Sequence, residues 1–242
     1  MMQVKQKEIT FFSNIARSGS YNVFSPESSL KIVNKLIETA RFKKTDFILD
    51  LGCGSGVFTN IFYSLGFKNI HGLDLCESLI QQGKQYYPDI VFQVADIEHL
   101  PYGDNSVDGI VFSAVIHHFP DPNLAFKEAY RVLKPGGKFI AFDPNRCNPF
   151  MWLYRDKASP FYSSCGVTEN ERPVLASQLR KVIESVGFET KFDYLSGLKY
   201  VYVKSKMAVN FLPVYNFLDT LIFDNNLFKI FSAFLITLGC KK

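Results

Sequence analysis

The sequence predicts an α/β chain: a seven-stranded, mainly parallel sheet with helices on both faces, a small cap, and a helical apolar segment toward the C-terminal end. Three observations predict it. Short β-rich runs alternate with helical patterns from Phe47 to Phe142. Most of those runs are continuously apolar, as strands are when helices cover both faces of their sheet. The first run ends in a glycine turn, Gly52-Cys53-Gly54-Ser55-Gly56, at the kind of strand-to-helix junction where open α/β sheets hold ligands.

In chain order, Ser25-Pro26-Glu27 gives a helix N-cap with proline in the first position, and Leu30, Val33, Leu36 and Ile37 follow at helical spacing, so 26–41 is an amphipathic helix. The strands read as 47–51 (FILDL), 69–73 (NIHGL), 90–94 (IVFQV), 109–113 (GIVFS) and 138–142 (KFIAF). Helices fill the gaps at 57–65, 78–85 and 123–133, the last stopped by Lys134-Pro135-Gly136-Gly137. An irregular stretch, 144–173, mixes turn residues with aromatics, including the single tryptophan Trp152, and reads as a cap or lid. A helix at 177–186 ends at Gly187 and leads into a strand at 188–195. Apolar helices broken at Pro213 and at Asp224-Asn225-Asn226 come next, and 233–238 (AFLITL) closes the sheet as a seventh strand. The organisation is one domain over 1–242, with an N-terminal helical lid (1–44), a ligand-binding core (45–142), a cap insertion (143–176) and a C-terminal part (177–242).

Composition narrows the partners. Of 242 residues, 47% are hydrophobic and 21% charged, enough for an ordinary globular core. The net charge of +4 is modest and no long run of like charges is present, so nucleic acid is not an expected partner. The five cysteines are scattered without a C-x-x-C pair, which fits a reduced cytoplasmic protein. The N-terminus lacks the apolar core of a secretory signal. The longest uncharged stretches of the C-terminal third, 207–218 and 230–240, are shorter than the roughly 18 apolar residues that span a bilayer. Resting on a membrane surface is the remaining membrane option for that apolar segment, although it lacks a Lys-rich polar face.

The glycine turn carries the strongest local signal. Glycines bring the main chain close to a ligand, and the helix N-terminus behind them offers free N–H groups to an anion such as a carboxylate. A dinucleotide fingerprint would need glycine where Val57 stands, which disfavours a nicotinamide-dependent dehydrogenase. Asp74 follows the second strand, 20 residues after Gly54, where an acid can accept from both hydroxyls of a ribose. Asp96 follows the third strand and could accept from an adenine amino group while Ile97 packs on the ring. Alone, Asp74 also reads as a helix N-terminal acid and Asp96 as a surface turn; together they mark the carboxyl ends of successive parallel strands.

On Leu49-Asp50-Leu51-Gly52-Cys53-Gly54-Ser55-Gly56, Gly72-Leu73-Asp74, Ala95-Asp96, the stretch from Leu100 to Asp108, and Arg131-Val132-Leu133-Lys134-Pro135-Gly136-Gly137, the chain resembles the class I S-adenosylmethionine-dependent methyltransferases. Within them it is most similar to small-molecule enzymes with a type 11-like domain. The resemblance implies a Rossmann-like fold and S-adenosyl-L-methionine as cofactor. It places the methionine end on Gly52, Cys53 and Gly54, the ribose on Asp74 beside Leu75, the adenine beside Asp96 and Ile97, and the methionine amino group on the Ser113 carbonyl. Asp50 is implied to orient the turn or a water on the methionine moiety.

A sulfonium-borne methyl group is already activated, so positioning and exclusion of water can supply most of the catalysis. For a hydroxyl acceptor a nearby base would help, and His117 and His118, directly after the fourth strand, are the candidates, with Asp143 behind them. Some similar quinone-pathway O-methyltransferases hold a divalent metal on acidic residues near this histidine; Ala114 and His117 occupy those places, so no metal is expected. The cap aromatics Phe150, Trp152, Tyr154, Phe161 and Tyr162 and the C-terminal Phe211, Tyr215 and Phe217 could line an apolar pocket, although core packing is the commoner role of such residues. The expected acceptor is small and apolar, lipid-like, quinone-like or a natural product, methylated on oxygen rather than nitrogen or carbon. The alternatives are a nucleic-acid or protein methyltransferase, opposed by the charge and by the lack of an Asn/Asp-Pro-Pro-Tyr/Phe motif, and a binding module that holds the cofactor without transferring a methyl group.

Overall fold

A computed structural model describes residues 2–17, 23–201, 206–223 and 227–242. Helices α1 (Met2–Arg17) and α2 (Pro26–Ala40) precede the sheet. Then come β1 (Ile48–Leu51), α3 (Val57–Ser64), β2 (Ile70–Asp74), α4 (Glu77–Tyr86), β3 (Val91–Val94) and β4 (Val107–Ser113). Helix α5 (Asn123–Val132), β5 (Leu133–Pro144), α6 (Pro149–Arg155), α7 (Ala176–Val186), β6 (Phe188–Leu195), α8 (Lys206–Leu218) and β7 (Phe234–Lys241) complete the order.

The seven strands form one sheet in the order β3-β2-β1-β4-β5-β7-β6. Pairings from β3 through β5 are parallel, and β7 runs antiparallel to both β5 and β6. This is the seven-stranded, mainly parallel, Rossmann-like sheet the sequence predicts. Chain order reverses between β1 and β4, where a crevice opens beyond the strand ends.

Alternation along the strands divides the core. Leu49, Leu51, Ile110, Phe112 and Phe139 pack with α5 and α7, whereas Ile48, Ile70, Val111, Ile140 and Phe142 pack with α2 and α3. The phenylalanines in both layers are fully buried, each contributing about 1.5–3 kcal/mol by leaving water. Helix α2 begins as expected: the Ser25 hydroxyl accepts from the Ser28 N–H at 3.2 Å, and Arg41 stops the helix in a left-handed conformation at φ 55°.

Three elements differ from the sequence reading. Strand β5 begins at Leu133, because the Lys134–Gly137 turn bulges out between Leu133, paired with Val107, and Lys138, paired with Gly109. The stretch expected to be irregular holds α6, whose N-cap Asn148 accepts from the N–H groups of Phe150 and Met151. Helix α8 continues through Pro213 instead of breaking there and widens into a π-helical turn, Asp219–Phe223; the expected break at Asp224-Asn225-Asn226 lies outside the described residues.

Candidate active site

A cavity of about 660 Å³ opens at the carboxyl ends of the parallel strands, within the range of sites that bury small molecules. One end is built by the glycine turn. Gly52, Gly54 and Gly56 have φ of 73°, 56° and 85°, the left-handed region that favours glycine. A Cβ at Gly52 would stand 2.7 Å from the Val115 side chain, whereas one at Gly54 would meet nothing within 4 Å, so the Gly54 backbone is open to a ligand.

Asp74 locks this turn. Its carboxylate accepts from the Gly54 N–H at 2.9 Å and the Cys76 N–H at 2.8 Å. Burial raises its pKa, and those backbone hydrogen bonds act against the rise. Leu75, Asp96, Ile97 and Ser113 also line the cavity. The Asp96 carboxylate accepts from the Glu98 N–H at 3.0 Å and pairs with Lys5 of α1 at 2.5 Å; Lys5 also pairs with Glu98. An adenine amino group at Asp96 therefore has to share or displace Lys5.

Cys53 lines the same end; burial, then the charges of Asp50 and Asp74, raise its thiol pKa well above the ordinary value, so it stays an uncharged packing group. Asp50, grouped with the cofactor residues on sequence, does not line the cavity. It is fully buried and accepts from Thr59 Oγ1 at 2.6 Å and Ser113 Oγ at 2.5 Å, tying α3 to the end of β4 beneath the turn. Its pKa is pushed up to about 6 by burial, against those two hydrogen bonds.

The other end of the cavity begins at the 3-10 turn Ile116–His118. His117 is buried, and its Nδ1 lies 2.8 Å from Oδ1 of Asp143 on β5, the same oxygen that accepts the His117 backbone N–H at 3.0 Å. Donation from Nδ1 leaves the His117 Nε2 lone pair available to a reacting proton. His118 Nδ1 sits 3.2 Å from Thr168 Oγ1 and 3.3 Å from Glu8 Oε2 of α1, with its ring edge-on to Phe12. Burial lowers the His118 pKa, but the Glu8 hydrogen bond and the charges of Glu171, Glu8 and Asp143 outweigh it and the net shift is upward.

His117, His118 and Glu171 offer ligand atoms all within 4.8 Å of one another. Two imidazoles and a carboxylate suit a zinc-class ion. The expectation of no metal was built on positions near the histidine, whereas Glu171 arrives from the cap and leaves no trace in local spacing.

The aromatic lining differs from the sequence reading. None of the described residues among Phe150, Trp152, Tyr154, Phe161, Tyr162, Tyr215 and Phe217 lines the cavity, and the side chain of Phe211 lies outside the described residues. Met151 and Arg155, one turn apart on α6, face the cavity, which puts Phe150 and Trp152 on a more exposed side of that helix. Phe24, Phe142, Tyr200 and Phe234 supply aromatic wall instead. Lys5, Glu8, Arg155 and Glu171 were missed altogether, since only tertiary contacts bring them in.

Comparisons with known proteins agree with this geometry. The family model described as "Methyltransferase domain" matches residues 49–141. A probable S-adenosylmethionine-dependent methyltransferase of Mycolicibacterium smegmatis is 30% identical over 144 residues, covering 60% of this chain and 52% of that protein. The ubiquinone biosynthesis O-methyltransferase of Coxiella burnetii is 27% identical, covering 88% of this chain and 96% of that protein. The chain spans about half the length of the first curated relatives it matches, 52% and 46%. Among solved structures, a Thermotoga maritima protein described as an S-adenosylmethionine-dependent methyltransferase, possibly a histamine N-methyltransferase, superposes with a TM-score of 0.61 at 21% identity, covering 90% of each chain, a likeness of fold. Glycine turn, strand-end acids and family match converge on a methyltransferase domain over residues 49–141, and the proteins this chain is similar to include S-adenosylmethionine-dependent methyltransferases.

Proposed function

We propose that this protein transfers a methyl group from S-adenosyl-L-methionine to an oxygen of a small, apolar, lipid-like or quinone-like acceptor. The observation that carries the reading is a single cavity joining the glycine turn and Asp74 at one end to the His117–Asp143 pair and apolar walls at the other. The cofactor end fits S-adenosylmethionine: Gly52, Cys53 and Gly54 for the methionine end, Asp74 and Leu75 for the ribose, Asp96 and Ile97 for the adenine, and the Ser113 carbonyl for the amino group. When bound, that cofactor supplies a methyl group activated by a positive sulfur.

The chain's own contribution is orientation and proton transfer. Asp143 fixes the His117 ring, and His117 Nε2 takes the proton of the acceptor hydroxyl as the oxygen is methylated. His118, held by Glu8 and Thr168, closes the site on the α1 side. Apolar walls from Phe142, Met151 and Phe234 exclude water from the reacting atoms. A C. burnetii relative named for O-methylation in ubiquinone biosynthesis supports the oxygen and quinone-like part of the reading.

Among the described residues no helix is long and apolar enough to cross a membrane, and the five cysteines are free, in keeping with a reducing cytoplasm. Exposed Phe217, Leu221 and Leu227 leave peripheral membrane contact as part of the proposal.

Incubation with methyl-tritiated S-adenosylmethionine and 4-nonylphenol tests the function: label should pass into the organic extract as the methyl ether. Tight cofactor binding with no transfer to any apolar hydroxyl compound would instead make the chain a binding module. No metal is required in this reading, so dialysis against EDTA should leave the rate unchanged; a loss restored by zinc would assign an ion to His117, His118 and Glu171.

A further inference from the structure

The acceptor end of the cavity carries two polar groups that the proposed transfer does not use. Arg155, on the inward face of α6, lines the cavity, and its Nη1 is buried with no hydrogen-bond partner in the protein. The nearest carboxylate oxygen, Glu171 Oε1, is 3.7 Å away, beyond hydrogen-bond reach. Tyr200 also lines the cavity, packed between Phe24 at 5.1 Å and Tyr215 at 5.6 Å, and its hydroxyl is buried against the Tyr215 hydroxyl without a hydrogen bond of good geometry. Burial, then the neighbouring Tyr215 and Asp219, raise the Tyr200 pKa well above its ordinary value, so the hydroxyl keeps its proton.

Among the described residues, the other cavity-lining groups with an unpartnered buried atom are Glu8 and Glu98, and those carboxylates face His118 and Lys5. What remains is two donors. Guanidinium N–H groups can only donate, and a tyrosine hydroxyl has a proton to give. A buried donor left unpaired is costly, so a ligand that fills this end should bring an acceptor oxygen.

The surrounding charge says which kind. Glu171 stands 3.7 Å from the guanidinium and within 4.8 Å of the two histidines, and Glu8 and Asp143 add further negative charge against those rings. A ligand carboxylate at Arg155 would meet the repulsion of Glu171, whereas a neutral carbonyl oxygen accepts both hydrogen bonds without it.

We propose that Arg155 and Tyr200 form a carbonyl-binding subsite, so that the acceptor is an apolar molecule bearing a neutral carbonyl oxygen away from the hydroxyl that is methylated. Resting on the methyl-transfer reading, this narrows its substrate class. Met151, one turn before Arg155, and Phe234 flank the subsite and take up the apolar body. Neither Arg155 nor Tyr200 is placed in the cofactor end.

The test compares two matched probes, 4-nonylphenol and its ketone counterpart 4-hydroxynonanophenone, by calorimetry and by transfer of labelled methyl in the presence of S-adenosylmethionine. The native protein should bind and turn over the ketone about tenfold better or more, the size expected when a charged and a neutral donor gain a partner. Arg155→Met and Tyr200→Phe should each shrink that preference, and the double variant should bring the ratio to about one, while cofactor affinity changes little. Equal handling of both probes by the native protein would overturn the subsite and leave methyl transfer standing. Preference for the ketone that survives both substitutions would also overturn it. If neither probe binds, the subsite fails; if cofactor binds yet neither probe is methylated, the transfer reading fails with it.

Discussion

Gly52, Asp74, Asp96 and Ser113 stand at or just beyond the ends of four neighbouring strands, each placed by a short segment of the core. At the other end of the same cavity, Glu8 comes from α1, His117 from a 3-10 turn, Arg155 from α6, Glu171 from the cap and Tyr200 from the chain after β6. The proposed cofactor end is thus written along the backbone of a regular sheet, and the proposed acceptor end is assembled from segments that meet only when the chain is folded. Parallel strands fix where their carboxyl ends point, so residues there keep their geometry whatever surrounds them. Loops and caps have no such frame, which is how one fold comes to serve many acceptors.

The largest expected effect separates the two ends functionally. His117→Ala or Asp143→Asn should slow methyl transfer by about 10²–10⁴-fold, the usual contribution of a positioned base, while cofactor affinity stays within a few-fold. Equal losses in binding and transfer would show that the pair supports the whole cavity and would erase the proposed division.

Next comes Gly52→Ala. The substitution forces a Cβ to 2.7 Å from Val115 and a side chain into φ 73°, and should cost about 2 kcal/mol or more of stability together with cofactor affinity. Thermal unfolding and calorimetry on the same variant check both. An unchanged Tm would mean the turn is less constrained than its backbone indicates.

A smaller effect probes the contact between α1 and the acceptor end. Glu8 has its pKa lowered: burial raises it, but His118, Thr168 and Asn170 together outweigh burial. The His118 pKa is raised in return. A depressed acid stabilises above its ordinary pKa, and a raised histidine stabilises below its own. Their pairing is therefore worth most between about pH 4.5 and 6.5, the ordinary values of the two groups, and fades on either side. Glu8→Gln should lower the His118 titration midpoint seen by NMR and cost about 1 kcal/mol near pH 5.5, with less lost at pH 9. A midpoint that does not move would detach Glu8 from this histidine.

The same contrast explains what could be read in advance. Strands at 48–51, 70–74 and 188–195 were legible because their apolar runs and flanking turns are local signals. His117 and Asp143 were legible as candidates because one follows the apolar run 109–113 and the other directly follows the run 138–142. The resemblance implied that Asp50 orients the glycine turn or a water on the methionine moiety, and strand alternation sends its side chain under the turn to Thr59 and Ser113. Helix α6 was hidden by its shortness and by the prolines and asparagines around it, and with it the choice of Met151 and Arg155 over Trp152 as cavity wall. Pro213 failed as a breaker because α8 accommodates it and opens into a π turn at Asp219.

Calorimetric titration of S-adenosylmethionine into the native protein and into Asp74→Ala tests the central claim most directly. Saturable binding that weakens by about a hundredfold in the variant, whose far-UV dichroism stays native, is the predicted result, since the carboxylate holds Gly54 and Cys76 and is the proposed acceptor for the ribose hydroxyls. No binding by the native protein, or equal binding by the variant, would contradict it.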